Sequence, residues 1–349
     1  MKKTITTLIG ITALLAMASV TQAKLAGKNV VLVHGFRSTD LRDHPTTSQL
    51  KSLANQYWSA YWGSRAESII YWGSDGRISG TIKDQVKAQF KALESAGTCA
   101  NGCVIVTHST GDLVTRYALK KLGQWGISTS RFKVLAVLDF AGAGGGTEIA
   151  DTAVGVSEGS GWVNSAMKSA VNLFMGFTPT AGQMGVLYDL QPANARNLAT
   201  GSNSYPRLRF AGTGWQYAGV TKPFISGADD SVVPLHSACG AASAGAYDSC
   251  SRSIQPNGVI TSVSKAPSSL WYNHYAVLMG EKTNHGAAIN TTSGNEYATV
   301  SNNFSRNGIT VDFATKTERK WWSWGKKVRW VKNGSSKSMS ANVYDTLNN

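Results

Sequence analysis

Three observations predict an α/β fold built on a mostly parallel sheet with helices on both faces. First, Val104, Ile105 and Val106 form a short apolar, β-branched run of the kind expected of a strand buried on both faces. Second, Thr107 to Gly111 turns the chain straight into a helical pattern carried by Leu113, Val114, Tyr117 and Ala118. Third, the order before this corner is strand, helix, strand, helix, as right-handed crossovers in a parallel sheet require.

The elements follow in order. Asn29 to His34 is a buried-strand pattern. Arg37 to Pro45 is polar and loop-like, and Leu50 to Trp62 reads as a helix with Leu53, Tyr57 and Tyr61 on one face. Ser68 to Trp72 is a short strand, and Ile82 to Leu93 is an amphipathic helix with Val86, Phe90 and Leu93 inward. After the central corner come a strand at Lys133 to Ala141, a glycine-rich segment at Gly142 to Asp151, and strands at Arg207 to Ala211 and Tyr275 to Met279.

Residues 1–23 read as an export signal: Lys2 and Lys3, an apolar stretch from Leu8 to Met17, then the small residues Ser19, Thr21 and Ala23. That stretch is too short for a permanent membrane span, and a periplasmic or secreted protein is expected. Four cysteines in an exported chain suggest two disulfides. Of the three possible pairings, spacing favours Cys99 with Cys103 and Cys239 with Cys250. No histidine has ligand spacing to either pair, which argues against zinc. The chain carries 34 Lys plus Arg against 20 Asp plus Glu, a net charge of +14. This surplus favours anionic partners. Export points to membranes or envelope polymers, and no nucleic-acid motif is present.

The central corner holds the chemistry. A serine at a sharp strand-to-helix turn is lifted clear of the sheet, with a helix N-terminus behind it and small residues on either side. Here the motif is Thr107-His108-Ser109-Thr110-Gly111, with threonine where such corners usually place the first glycine. On this motif and three other short segments between about residues 29 and 290, the chain resembles the α/β-hydrolase superfamily, and within it the secreted bacterial lipases and esterases. The resemblance implies an α/β-hydrolase fold with an inserted lid, and Ser109 as nucleophile. His34-Gly35-Phe36 ends the first strand as the H-G pair does in those families. It would place the N–H of Phe36 beside that of Thr110 as the two oxyanion donors, with His34 shaping the loop.

The remaining triad members follow from chain order. Asp229-Asp230 precedes Ser-Val-Val-Pro, where the resembling families carry the acid directly before the x-V-V-P step; this favours Asp230, with Asp229 as its neighbour. His285 lies in a loop after the strand at Tyr275 to Met279 and is chosen as the base, with His274 as its rival. His236 reads as a loop residue, and His44 and His108 as surface or supporting positions. Some relatives bind calcium through an aspartate two residues after the histidine. Ala287 stands at that position, so neither metal nor cofactor is expected.

The glycine-rich segment lacks the G-K-S/T of a phosphate loop and resembles the connection leading into a lipase lid. From Gly155 to Tyr188 small residues mix with Trp162, Phe174, Met175 and Phe177. This marks about 142–190 as the lid or cap candidate, with an inserted core helix pair as the alternative. Three segments result: the signal at 1–23, a hydrolase domain at 24–304, and an extension at 305–349. The extension carries Trp321, Trp322, Trp324 and Trp330 among basic residues. It suits an anionic membrane or envelope surface, sugar stacking, or a strand pair packed on the main domain. The expected function is an exported serine hydrolase of lipid esters. Phospholipase A, an acyltransferase with the same triad, or a catalytically silent binding protein on a hydrolase scaffold are the alternatives.

Overall fold

A computed structural model describes residues 25–159, 163–198 and 205–348. The export segment expected over residues 1–23 and Trp162 of the lid candidate lie outside the described residues. Seven strands form the main sheet: β1 (Asn29–Val33), β2 (Ser68–Ile70), β3 (Cys103–His108), β4 (Val134–Phe140), β5 (Arg207–Gly212), β6 (His274–Gly280) and β7 (Ala298–Thr299). Their spatial order is β2-β1-β3-β4-β5-β6-β7; the first six run parallel, and β7 alone pairs antiparallel, against β6.

Alternation along the strands builds two cores. Val31, Val33, Ile105, Val137 and Met279 face one side, while Val30, Leu32, Val104, Val106, Leu138 and Phe210 face the other, all fully or almost fully buried. Both faces are therefore covered, which is why these strands read as continuous apolar runs. The helices Lys83–Ser95, Thr110–Lys121, Glu148–Glu158 and Ser165–Met175 cover the first face. The helix Thr47–Trp58 reaches the second through Trp58.

That helix starts earlier than its apolar pattern suggests, because Thr46 and Gln49 form a capping box. Its buried face is Leu50, Ala54 and Trp58 rather than Leu53, Tyr57 and Tyr61, although Tyr57 and Tyr61 still pack on the second core. The expected loop at Arg37 to Pro45 contains a short helix, Asp40–Asp43. Both disulfides are the local ones, Cys99–Cys103 and Cys239–Cys250. Among the described residues, no helix is long and apolar enough to cross a membrane.

The C-terminal segment is built into the second core. Phe304, Ile309, Val311, Phe313 and Val331 pack there with Met339, Val343 and Leu347 of the helix Met339–Asn348. Trp62 donates its indole N–H to Ser340 (3.0 Å), and Ser340 donates to the carbonyl of Ala288 (2.9 Å). Two short hairpins precede the helix: β8 (Phe304–Arg306) with β9 (Ile309–Val311), and β10 (Thr315–Arg319) with β11 (Lys327–Val331). We expect Met339→Ala to cost about 2–5 kcal/mol, as large-to-small changes at buried sites do. The loss should be seen in urea as a lower midpoint of one transition, whereas a C-terminal segment melting separately would leave the main midpoint in place.

Candidate active site

Ser109 follows β3 directly and precedes the helix Thr110–Lys121. Its backbone has φ +56° and ψ −128°, a region that non-glycine residues rarely occupy. The corner is held from several sides. The Ser109 N–H donates to the carbonyl of Phe140 (3.1 Å), and the Ser109 carbonyl accepts from the N–H groups of Asp112 (3.1 Å) and Ala143 (2.9 Å). A Cβ at residue 111 would strike the carbonyls of Val33 and His34, and one at residue 35 would strike Ser109 itself. Glycine at 111 lets the helix pack onto the end of β1, and glycine at 35 lets the loop after β1 pass beside the serine.

Thr107, where such corners usually carry glycine, is a buried strand residue whose hydroxyl donates to Asp139 on the neighbouring strand. The departure from the common motif is thus tied to a group of buried charges absent from the sequence reading. Asp112, Asp139, Arg207 and Arg209 are all 0 % exposed. Asp112 Oδ1 accepts from Arg207 (2.8 Å), and Oδ2 accepts from Arg209 and from the Gly144 N–H (2.8 Å). Arg207 also reaches Asp139 (3.2 Å), and Arg116 donates to the Gly144 carbonyl (2.8 Å). Burial alone would raise the Asp112 carboxyl, but the guanidinium groups of Arg209, Arg207 and Arg116 outweigh it and hold the carboxyl below its usual range. Asp139 goes the other way, raised by burial and by the nearby Asp112 charge.

His285 stands in the segment after β6. Its Nδ1 lies 2.8 Å from Asp230 Oδ2, and its backbone N–H donates to the Asp230 carbonyl (3.1 Å). The other carboxylate oxygen of Asp230 accepts from the N–H groups of Val232 (3.0 Å) and Val233 (2.7 Å). Asp229 faces elsewhere: its Oδ1 accepts from the Ser231 N–H (2.8 Å), and burial pushes its carboxyl up to about 6. His274 lies within β6 and is buried, with Nδ1 2.7 Å from Arg209 Nη2; burial and then the arginine charges keep its imidazole neutral, well below the ordinary histidine range. His236 is buried in the short helix Leu235–Ala238 rather than in a loop, 2.8 Å from Glu148.

Ser109, Thr110, His285 and Phe36 line one cavity of about 300 Å³, together with Tyr57, Phe174 and Leu190. Phe36 stacks on Phe174 (ring centroids 5.7 Å apart, planes 19° apart), so the helix Ser165–Met175 of the lid candidate forms part of the wall. His34 lies behind the loop, stacked on Trp72 at 4.7 Å; its Nδ1 is 2.8 Å from the Gly35 carbonyl, and burial lowers it to about 4. The corner is joined to the His285 segment through His108: its Nε2 is 3.0 Å from the His285 carbonyl, and its Nδ1 meets the Tyr57 hydroxyl. These supporting contacts were not read from the sequence. The one available signal was the pair of arginines two apart in an otherwise apolar strand, which places both on one buried face.

Two measurements follow from these environments. Asp112→Asn should cost about 3–5 kcal/mol, because it leaves buried guanidinium charge unpaired; a loss under 1 kcal/mol in chemical denaturation would contradict the network. The folded pKa of Asp229, about 6, lies above that of an unfolded aspartate, so its contribution to stability is complete at low pH and is lost as pH rises through 6. Relative to Asp229→Asn, the wild type should therefore lose up to about 3 kcal/mol between pH 4 and 7; denaturation curves that stay parallel across that range would refute the assignment.

No family model and no curated protein matches the chain. Among solved structures, it is similar to the mature lipase BlEst2 of Bacillus licheniformis, at 14 % identity over 76 % of this chain and 87 % of that one, with a TM-score of 0.43. The lipase of Staphylococcus hyicus is matched at 12 % identity over 77 % and 90 % of the two chains, with a TM-score of 0.40. The phospholipase PlaB of Legionella pneumophila is matched at 13 % identity over 60 % of this chain and 45 % of that one, with a TM-score of 0.37. The mostly parallel sheet covered on both faces and the strained serine between strand and helix give the chain the architecture of the α/β-hydrolase fold.

Proposed function

We propose that the protein is a serine hydrolase of carboxylic esters, with lipid esters as the favoured substrate class. The observation that carries this reading is the placement of Ser109, at a strained backbone position, in the same cavity as His285, whose Nδ1 is paired with Asp230.

In the proposed reaction the Ser109 hydroxyl attacks the ester carbonyl while His285 Nε2 takes its proton. Asp230 receives Nδ1–H, fixes the tautomer and stabilises the imidazolium that forms. Two backbone N–H groups, those of Phe36 and Thr110, then receive the oxyanion. Thr110 opens its helix, so its N–H has no partner within that helix. Such a donor contributes roughly 3 kcal/mol in the transition state. The imidazolium returns its proton to the leaving alcohol, and water, activated by the same histidine, releases the acid from the acyl-enzyme. Phe36, Phe174 and Leu190 give the cavity an apolar wall suited to an acyl chain, and the helices Glu148–Glu158 and Ser165–Met175 of the lid candidate are the cover that would move for entry. Two disulfides and the N-terminal sequence pattern support export.

The test is intact-mass labelling with a fluorophosphonate, followed by p-nitrophenyl esters of increasing chain length. One label on the wild type and none on Ser109→Ala is expected, with turnover falling by roughly 10⁴-fold in Asp230→Asn. His285→Ala should lose turnover alongside Ser109→Ala. A folded wild type that takes no label would instead favour a binding protein on this scaffold.

A further inference from the structure

A second set of cavities lies at the same C-terminal end of the parallel strands as Ser109. Two cavities, of about 760 and 520 Å³, open beyond the C-terminal ends of β5 and β6 and share Asn257, Glu281 and Lys282 in their walls. They therefore form one continuous groove. Glu281 and Lys282 belong to the segment that leads to His285, so one wall of the groove is the loop carrying the proposed base.

Each half of the groove carries a solvent-facing indole. Trp215, 68 % exposed, lines the first cavity, and Trp321, 93 % exposed, lines the second. Trp321 stands on a firm base. The next residue, Trp322, packs at 6.2 Å against Trp330, which is buried with Val259 and Val328. The hairpin itself is fastened to the 258–260 segment by the bonds from Ile260 N–H to the Lys327 carbonyl and from Arg329 N–H to the Gly258 carbonyl, both 2.8 Å. The Lys222 ammonium lies 4.6 Å from the centre of the Trp215 ring, yet both indoles stay largely in water along the groove, and this marks a place where something stacks.

The charge of the groove decides what stacks there. The whole chain has 34 basic against 20 acidic side chains, yet the groove walls reverse this, with Asp229, Asp248, Glu281 and Glu296 against Lys222 and Lys282. A surface for anionic headgroups is convex, apolar and basic; this one is concave and carries more acid than base. Carboxylates and the amides of Gln255 and Asn257 accept and donate hydrogen bonds to hydroxyl groups, and indole faces stack on sugar rings. We infer that the groove binds a neutral carbohydrate chain, with Trp215 and Trp321 as stacking platforms.

Binding can be read without turnover. The full-length wild type is screened on an array of neutral oligosaccharides (cello-, manno-, xylo- and N-acetylchito-series) beside the anionic polymers alginate and polygalacturonate, and then titrated with the best neutral ligand. Trp215→Ala and Trp321→Ala should each weaken that binding at least tenfold and leave thermal unfolding and p-nitrophenyl ester turnover unchanged. Trp324→Ala is the discriminating control, since Trp324 is equally exposed at 93 % but lines neither cavity, and it should leave binding intact. Retention of no neutral glycan, or of anionic polymers alone, would overturn the inference. So would binding to phosphatidylglycerol vesicles that falls alike in Trp321→Ala and Trp324→Ala without any glycan effect, which would assign the tryptophans to a membrane instead.

Discussion

The carboxylate of Asp112 is the point on which the serine corner depends. It sits on the first turn of the helix after Ser109, receives both arginines of β5, and receives the Gly144 N–H from the loop after β4. One side chain thus ties the helix after Ser109 to the next loop and to a strand nearly a hundred residues away. Removing four charges from water costs several kcal/mol per ion, and only close, well-directed pairing offsets it. Such a cluster is weak evidence for stability, but it constrains register strongly. Thr107, Asp139 and Arg209 are lateral partners across β3, β4 and β5. Sliding any of these strands by one residue would turn its polar member into the opposite, predominantly apolar core.

This explains which parts of the fold could be read from the sequence. The strands around Val30, Val104 and Val137 are buried on both faces, so continuous apolarity marks them and their ends fall within a residue or two of expectation. The helix Thr47–Trp58 was legible as a helix but not in phase, because Thr46 and Gln49 set its start and the apolar stripe began only at Leu50. The C-terminal segment was marked as an extension because its tryptophans and lysines dominate its composition. The residues that bind it to the second core, from Phe304 to Leu347, are spaced too widely to form a pattern. The charge cluster was harder to read: the two arginines mark one face of β5, but its four charges come from three elements, and nothing local predicts that Asp112 will meet Arg207.

Backbone direction separates the adjacent and the similar residues. Asp229 and Asp230 are consecutive, and the backbone there is extended enough to bridge from Asp229 to Pro234, so their side chains diverge. Asp230 turns toward His285, and Asp229 lines the outer groove. For the histidines the difference lies in pairing. His274 is a β-strand residue opposite Arg207, and its imidazole is spent on Arg209, whereas His285 lies past the end of that strand, where the sheet no longer fixes its side chain.

The imidazole of His285 is held by more than its partner aspartate. The backbone N–H of His285 donates to the Asp230 carbonyl, and the His285 carbonyl meets His108 Nε2. That second bond requires Nε2 of His108 to carry the proton, leaving Nδ1 to accept from the Tyr57 hydroxyl. Burial, and then the nearby His285, hold His108 well below the ordinary histidine range, so this tautomer stays neutral at physiological pH. Neutrality matters because the two imidazole rings lie 4.6 Å apart. In the proposed reaction His285 becomes positively charged, and a second cation at that distance would oppose the change. Placing an uncharged, doubly bonded histidine there fixes the position of His285 without raising the barrier to its protonation.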